Sequence, residues 1–493
     1  MPPLLALFSW PLVVVVLARK FRPALAFILA ILTGFLLLPE TIAFDLPMLP
    51  ALTKHTVPVL SVVLFITLFQ TGKGKTDSRS LIPEHPFVRI AVVGLVLGAL
   101  LTVATNGDPL RYGPKVQPGM RLYDGFAHAL TMAMMLLPML LARKFLARPE
   151  THVLLLRVLC FAALFYSLLA LFEVRMSPQL NQWVYGFFPH SWRQHYRGGG
   201  WRPIVFLSHG LVVSLFFCCA TLAAAGLSRL YHKQRGKFLA AMAWLFLTLV
   251  LTKSLGALVI VILMLPAALL WGVRGQLLTA CAIAVLVLVY PIGRSTGVIP
   301  IQQVAQIAES ISPERAASFM TRVVNEDRLL AKAQQRPWFG WGLWGRSRIS
   351  DPITGVDITI VDGLWIGMLG ASGWVGYLSN FGLLCLPIIL LFRHLRRYDI
   401  GMESSILALV LAANLIDLLP NSGLTPVTWV VAGALWGRLE LGRIETETDT
   451  VSTDTSGNSG SIYTRLGKQI ANPARSGTRQ NQYTRQKSRH ARK

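Results

Sequence analysis

A chain of 493 residues that is 53% hydrophobic and only 14% charged, with a mean hydropathy of +0.53, excludes a soluble domain, where about 25% of residues are charged. Its net charge of +24 suits a membrane protein whose basic residues collect in particular connections and termini. Apolar runs of roughly 16–24 residues recur along the chain, each long enough to cross a hydrocarbon core of about 30 Å as a helix.

In chain order the runs fall near 3–18, 23–38, 55–70, 88–105, 124–142, 153–172, 204–226, 238–252, 256–271, 277–293, 366–392, 403–419 and 424–438. They are continuous rather than alternating, which predicts transmembrane helices and not barrel strands. The first is followed by Arg19-Lys20-Phe21-Arg22 with no small-residue cleavage site, and is expected to be a retained helix. Cys160, Cys218, Cys219, Cys281 and Cys385 all lie inside these runs without a CxxC spacing. They read as small apolar core residues and indicate neither a disulfide framework nor a metal site.

Basic residues orient the bundle. Short connections carrying Arg19, Lys20 and Arg22, then Lys73, Lys75 and Arg79, Arg143, Lys144 and Arg148, Arg229, Lys233, Arg235 and Lys237, Arg274, and Arg393, Arg396 and Arg397 alternate with the others. The positive-inside rule makes these cytoplasmic, so the two longest connections, at about 173–203 and 294–362, lie outside. From about 440 the chain is rich in Thr, Ser, Asn and Gln, and it has no acidic residue after Asp454. Such a tail cannot bury a core; it is expected to be disordered and attracted to anionic lipid rather than to nucleic acid.

The outer connections nevertheless carry Arg175, Arg193, Arg197 and Arg202 in one, and Arg315, Arg322, Arg328, Lys332, Arg336, Arg346 and Arg348 in the other. An anionic partner outside the membrane is the simplest reason. Arg202 and His209 are seven residues apart, which on a helix places them on one face with His209 about 10 Å deeper. A buried histidine there reads equally as a satisfied structural residue or as a functional one. Asp124 and His128 at i,i+4, Lys253 and Asp417 add polar groups in the outer halves of helices. Singly each reads as an interhelical pair; together they suggest a polar cavity opening outward. In the second long connection an amphipathic helix is predicted from Ser312-Pro313-Glu314, lying on the bilayer surface with Arg315 and Arg322 to one side. It leads into QRPWFGWGLWGR, where Gly340, Gly342 and Gly345 permit a tight turn, and Trp338, Trp341 and Trp344 suit an interfacial belt or a sugar-stacking surface.

In this order the parts resemble the bacterial O-antigen ligase/polymerase superfamily of polytopic membrane glycosyltransferases. The resemblance rests on Arg197 and Arg202 with GGGWRP, on Thr252-Lys253-Ser254-Leu255-Gly256-Ala257, on Arg322 and Arg328 leading to RPWFGWG, and on DGLWIGMLGASGWVGYLSNFG, and covers about 190–395. It implies an all-α polytopic protein of the GT-C-like type with about 12–13 transmembrane helices. The implied divisions are N-terminal helices over 1–189, a core over 190–395 that includes the extracytoplasmic loop at about 294–362, C-terminal helices over 396–439 and a tail over 440–493.

The activity implied is transfer or polymerisation of a polyprenyl-diphosphate-linked glycan onto an acceptor hydroxyl, at the periplasmic face of the inner membrane, in surface polysaccharide synthesis. No metal or cofactor is implied; the partners are the lipid-linked donor, a glycan or lipid acceptor and the bilayer. Carried over by position, Arg202 and Arg328 correspond to the diphosphate-binding arginines, with Arg322, Arg336 and Arg197 as helpers, and Trp338 and Trp341 correspond to glycan contacts. RPWFGWG corresponds to the family's loop-closing motif. Leu255 stands where members often carry arginine, and Asp362 where ligases commonly carry a histidine, which leans toward a polymerase or another polysaccharide transfer. Asp362 is then the first choice for the base and His209 the second. The rival class, a transporter or flippase for a lipid-linked or anionic solute, requires polar groups through the full depth and internal repeats; the polar groups here cluster in the outer half, and Arg157 is placed to snorkel to the cytoplasmic side. The orientation predicts that alkaline phosphatase fused after Gly345 is active and fused after Arg235 is inactive; the opposite pattern would invert the topology.

Overall fold

The structure, a computed structural model, describes residues 2–45, 50–69, 80–197, 199–299 and 313–455, with positions 303, 306, 309 and 310 between the last two segments. The helices are α1 (Pro3–Lys20), α2 (Pro23–Leu37), α3 (Val57–Phe69), α4 (Pro86–Ala104), α5 (Leu122–Phe145), α6 (Pro149–Met176), the short α7 (Leu180–Tyr185) and α8 (Gly210–Leu230). They continue with α9 (Arg235–Leu251), α10 (Leu255–Leu270), α11 (Val273–Ser295), α12 (Pro313–Ala333), α13 (Leu364–Arg393), α14 (Met402–Asp417) and α15 (Pro426–Thr455). Sheet among the described residues is confined to two small antiparallel pairs, β1 (Leu110–Tyr112) with β2 (Lys115–Gln117) and β3 (Tyr196–Arg197) with β4 (Gly200–Trp201).

Each apolar run of the sequence coincides with a helix, and among the described residues 8 helices are long and apolar enough to cross a membrane. The protein is an all-α polytopic membrane protein. Among the described residues six helices, α1, α2, α4, α6, α12 and α15, open on proline, whose fixed φ suits the first turn and whose missing N–H would have had no partner there. Helix α8 is buried along nearly its whole length and packs against α6, α9, α10 and α14, as expected of a helix that is apolar all round. Peripheral helices instead turn Leu12, Leu263 and Leu270 outward. Small residues set the closest approach: a Cβ on Gly433 of α15 would lie 2.2 Å from the Met139 carbonyl oxygen of α5, a device that substitutes for the missing hydrophobic drive between helices in lipid.

Helix α13 is broken at Gly373, whose φ of 63 and ψ of −164 are open only to glycine. A break frees backbone groups that need partners away from water, and the segment after α12 supplies them. The N–H groups of Trp341 and Gly342 donate to the carbonyls of Gly370 (2.8 Å) and Ala371 (2.9 Å), while Trp374 and Val375 donate back to Pro337 (2.7 Å) and Trp338 (3.2 Å). Helix α4 closes the other side: Thr102 Oγ1 donates to the Phe339 carbonyl (2.7 Å) and Asn106 Nδ2 to that of Gly340 (2.9 Å). RPWFGWG is therefore a clip that fastens the long outer connection into the bundle.

Two sequence expectations change. Helix α12 buries Val323, Glu326, Leu329, Leu330 and Ala333 and packs on α13, because its apolar face meets protein; Ser312 and the side chain of Arg315 lie outside the described residues. The tail expected to be unstructured from 440 begins as helix, since α15 continues to Thr455; positions 456–493 lie outside the described residues. Met1–Gly442 form one compact unit and Arg443–Lys493 a second.

At Gly373 an added Cβ would meet the Trp338 carbonyl oxygen at 2.4 Å, and at Gly340, with φ of 68, the Ala371 carbonyl carbon at 2.5 Å. Gly373→Ala and Gly340→Ala are expected to destabilise the protein by at least about 1–3 kcal/mol. Gly236→Ala, where a Cβ meets nothing within 4 Å, should be neutral or slightly stabilising; thermal unfolding in detergent separates the three.

Candidate functional site

The connection from α6 to α8 is fixed by a buried carboxylate that the sequence reading missed. Glu173, on the last turns of α6, accepts the N–H groups of Leu180 (3.0 Å), Ile204 (2.8 Å) and Val205 (2.7 Å). Phe206 N–H donates to the Tyr166 hydroxyl (3.2 Å), and Lys54 Nζ, paired with Glu40 at 3.0 Å, donates to the Phe206 carbonyl (2.7 Å). With these bonds made, and Val205 at a φ of 57, the chain stays non-helical until Gly210. The helical spacing assumed between Arg202 and His209 is thus incorrect. His209 is instead the N-cap of α8, with Nδ1 accepting the Leu211 N–H at 3.0 Å.

Arg202 and His209 still meet, by a different route. The β3–β4 hairpin folds back so that Arg202 N–H donates to the His195 carbonyl (2.7 Å). The Arg202 side chain passes beside Gly210, where a Cβ would lie 2.2 Å from its Cδ, and Nη2 donates to the Lys253 carbonyl (3.2 Å). Lys253 occupies the turn between α9 and α10 with a φ of 57, and a Cβ on Gly200 would be 2.3 Å from its Nζ. Thr252 Oγ1 accepts from Ser214 Oγ of α8 (2.8 Å). Thr252-Lys253-Ser254 and Gly200-Trp201-Arg202, distant in sequence, come together as one basic group.

Three histidines lie beside it. The rings of His190 and His209 are 4.8 Å apart, His195 and His209 5.0 Å, and His190 and His195 5.2 Å. Burial, then the charges of His190, Arg202 and Arg197, push His195 down to about 4. Burial, then His195, Arg202, His190 and Arg197, push His209 down to about 3. Both are neutral at pH 7, and His209 is a poor proton acceptor.

A second group forms where α12 meets the entry to α13. Arg322 Nε lies 3.6 Å from Asp362, and Nη1 donates to the Pro420 carbonyl (3.2 Å). Asp362 does not cap α13: the N-cap is Gly363, and Leu364 N–H is taken by the carbonyls of Leu418 (3.0 Å) and Asn421 (3.1 Å). Glu326, one turn from Arg322, accepts from Trp365 Nε1 (3.4 Å) and lies 3.6 Å from Arg294 Nε. Burial pushes Glu326 up to about 7, with Arg294 opposing and Asp327 and Asp362 adding to the rise. Near the start of α8, a Cβ on Gly423 would be 3.7 Å from Val212 and 4.0 Å from the Asp417 carboxylate.

The other sequence-derived residues are spread. Arg328 is exposed on α12, about 200° around the helix from Glu326. Arg197 is exposed on β3. Arg336 is bound to the Thr105 carbonyl (2.6 Å), Asn106 Oδ1 (2.6 Å) and Asp108 (3.0 Å), and stacks 4.3 Å from the Trp341 ring. Trp341 is buried with Nε1 donating to the Lys332 carbonyl (2.8 Å), whereas Trp338 is 67% exposed. Asp124 closes the first turn of α5 by accepting the Arg121 N–H (2.7 Å). Glu326 had one signal in sequence, its i,i+4 spacing from Arg322 on the amphipathic face.

Residues 240–381 match the model of the family described as O-antigen ligase. The match takes in Thr252-Lys253-Ser254, α12, the clip and the entry to α13, and supports the O-antigen ligase/polymerase superfamily and a role of that type in polysaccharide biosynthesis. No curated protein matches the chain.

Glu326 also carries a stability signature. Its folded value near 7 lies above the ordinary 4.5, so between those values the unfolded chain releases a proton that the folded protein keeps. Stability therefore falls as pH rises through that window. Thermal unfolding of wild type relative to Glu326→Gln should show a relative loss from pH 4.5 to 7 that levels off above it; parallel profiles would refute the assignment.

Proposed function

We propose that this protein is an extracytoplasmic glycosyltransferase that moves or polymerises a polyprenyl-diphosphate-linked glycan onto an acceptor hydroxyl. The observation that carries the reading is a pair of charged groups: a basic one in which Arg202 is bonded to the Lys253 carbonyl, and one in which Arg322, a turn from Glu326, is paired with Asp362. One binds diphosphate; the other supplies a base.

In this reaction the bond from the anomeric carbon to the diphosphate oxygen breaks, and a bond to the acceptor oxygen forms. The electron pair leaves with the diphosphate, which is stable as an anion and needs no proton. Arg202 offers it a planar fork of donors and Lys253 a point charge, both held by the surrounding backbone before the donor arrives. The acceptor's proton passes to the Asp362 carboxylate. Glu326, close enough to raise its own affinity for a proton through Asp362, is the next acceptor, with a value suited to neutral pH. The Arg322–Asp362 pair is about one-third exposed on each side; such pairs are worth about 0–1 kcal/mol, so an incoming diphosphate can draw Arg322 away and leave Asp362 free to act. Arg336 and Trp341 are committed to the clip, so sugar stacking falls to Trp338, and Arg328 and Arg197 are free to meet the donor's outer charges.

Arg202→Ala is expected to reduce transfer about 10²–10³-fold and Asp362→Asn about 10²–10⁴-fold, with Arg328→Ala milder. The test is the profile of polyprenyl-linked glycans in a strain lacking this gene, complemented by wild type or by each variant. Single repeat units accumulating would identify a polymerase, and long chains retained on the carrier a ligase. Donor trapped on the cytoplasmic side would overturn the reading in favour of transport.

A further inference from the structure

We propose that His190, His195 and His209 form a site for a divalent first-row transition ion of the zinc type, with three imidazole ligands and an open fourth position. The three come from separate segments: the loop after α7, the single 3-10 turn before β3, and the N-cap of α8. Their ligand atoms all lie within 4.8 Å of one another. Four-coordinate binding at about 2.0–2.1 Å requires nitrogens about 3.3 Å apart, which rotations about the side-chain bonds can supply.

The hydrogen-bond inventory singles out His195. The residue is 0% exposed, yet among the described residues neither Nδ1 nor Nε2 has a hydrogen-bond partner, and His190 Nδ1 is likewise buried and unpartnered. Every tautomer of His195 leaves a buried donor and a buried acceptor unpaired, an arrangement that native interiors avoid. A metal ion held by one nitrogen of each ring removes that conflict at the acceptor. His209 already uses Nδ1 to accept from Leu211, which leaves Nε2 for the ion and orients the ring, as an outer bond on the second nitrogen does in metal sites.

The surroundings select the ion. Among the described residues the cluster holds three imidazoles and no carboxylate, which disfavours calcium and magnesium and suits zinc, cobalt, nickel or copper. Phe188 packs 6.0 Å from the His195 ring and 4.5 Å from Trp192, and Trp192 5.7 Å from Trp201, ring centre to ring centre, so the cluster has an aromatic side that limits water. Arg202 and Arg197 lie within electrostatic reach of His195 and His209. Neutral imidazoles leave the dication's charge intact beside two guanidinium groups, so the fourth ligand is an anion, hydroxide or a phosphate oxygen. The ion also ties the hairpin bearing Arg202 to the start of α8. This inference does not depend on which transfer reaction the protein performs.

The experiment uses the full-length protein in detergent, stripped with a chelator and titrated with Zn²⁺ against a chromophoric competitor, then with Co²⁺ followed by its visible absorption. Wild type should bind one ion per chain, show the bands of a four-coordinate cobalt centre, and gain thermal stability with zinc. His195→Gln and His190→Gln should each weaken binding about a hundredfold or more and lose the thermal gain. His190 is only partly buried in a loop, so His190→Gln remains informative if His195→Gln folds poorly. Substoichiometric binding by wild type, or equal affinity in wild type and His190→Gln, would overturn the proposal.

Discussion

The region where α12 and α13 meet depends on an exchange of backbone hydrogen bonds between a broken membrane helix and the segment that covers it. Helix α13 gives up regular bonding at Gly373, and the clip returns four bonds, two in each direction. In a membrane protein such a break survives only where other protein groups meet the freed N–H and C=O groups. The clip and the break therefore require each other. The glycines follow from that fit: both contact points bring main chain against main chain, where no Cβ has room. From this joint α12 is hung on one side and the entry to α13 on the other, and Arg322, Glu326 and Asp362 face one another as a result.

The basic group is positioned by the same logic with a different donor. One carboxylate, Glu173, takes up three N–H groups that would otherwise be idle in the irregular chain leading to α8. Lys54 and Tyr166 complete the inventory from α6 and from the turn before α3. A buried charge is tolerable there because it is fully hydrogen-bonded and because Lys54 is paired with Glu40. The support beneath Arg202 contrasts with the Arg322–Asp362 pair, which is about one-third exposed. In the proposed reaction the first group is preorganised for an anion and the second rearranges around an acceptor.

Much of the architecture was legible in the sequence. Continuous apolar runs force helices in lipid, since no water is there to satisfy an open backbone, and every such run became a helix. The start of α12 at Pro313 followed from proline's fitness for a first turn. Arg202, Lys253, Arg322 and Asp362 stood out because charged groups beside a membrane need a reason. Arg336 and Trp341 stood out for the same reason and proved to be parts of the clip, because residue type alone does not say which partner an arginine or a tryptophan will find.

What the sequence determined by itself was the class of protein and the inventory of charged groups on its two longest connections, both consequences of composition and of local periodicity. What only the tertiary structure decided was which of those groups meet. The Arg202–His209 relation ran through a hairpin rather than a helix, His190 and His195 joined His209, and Glu326 came to Asp362 from another element. These are contacts across separate segments, set by where buried carboxylates and a broken helix find hydrogen-bond partners, and no periodicity along the chain encodes them.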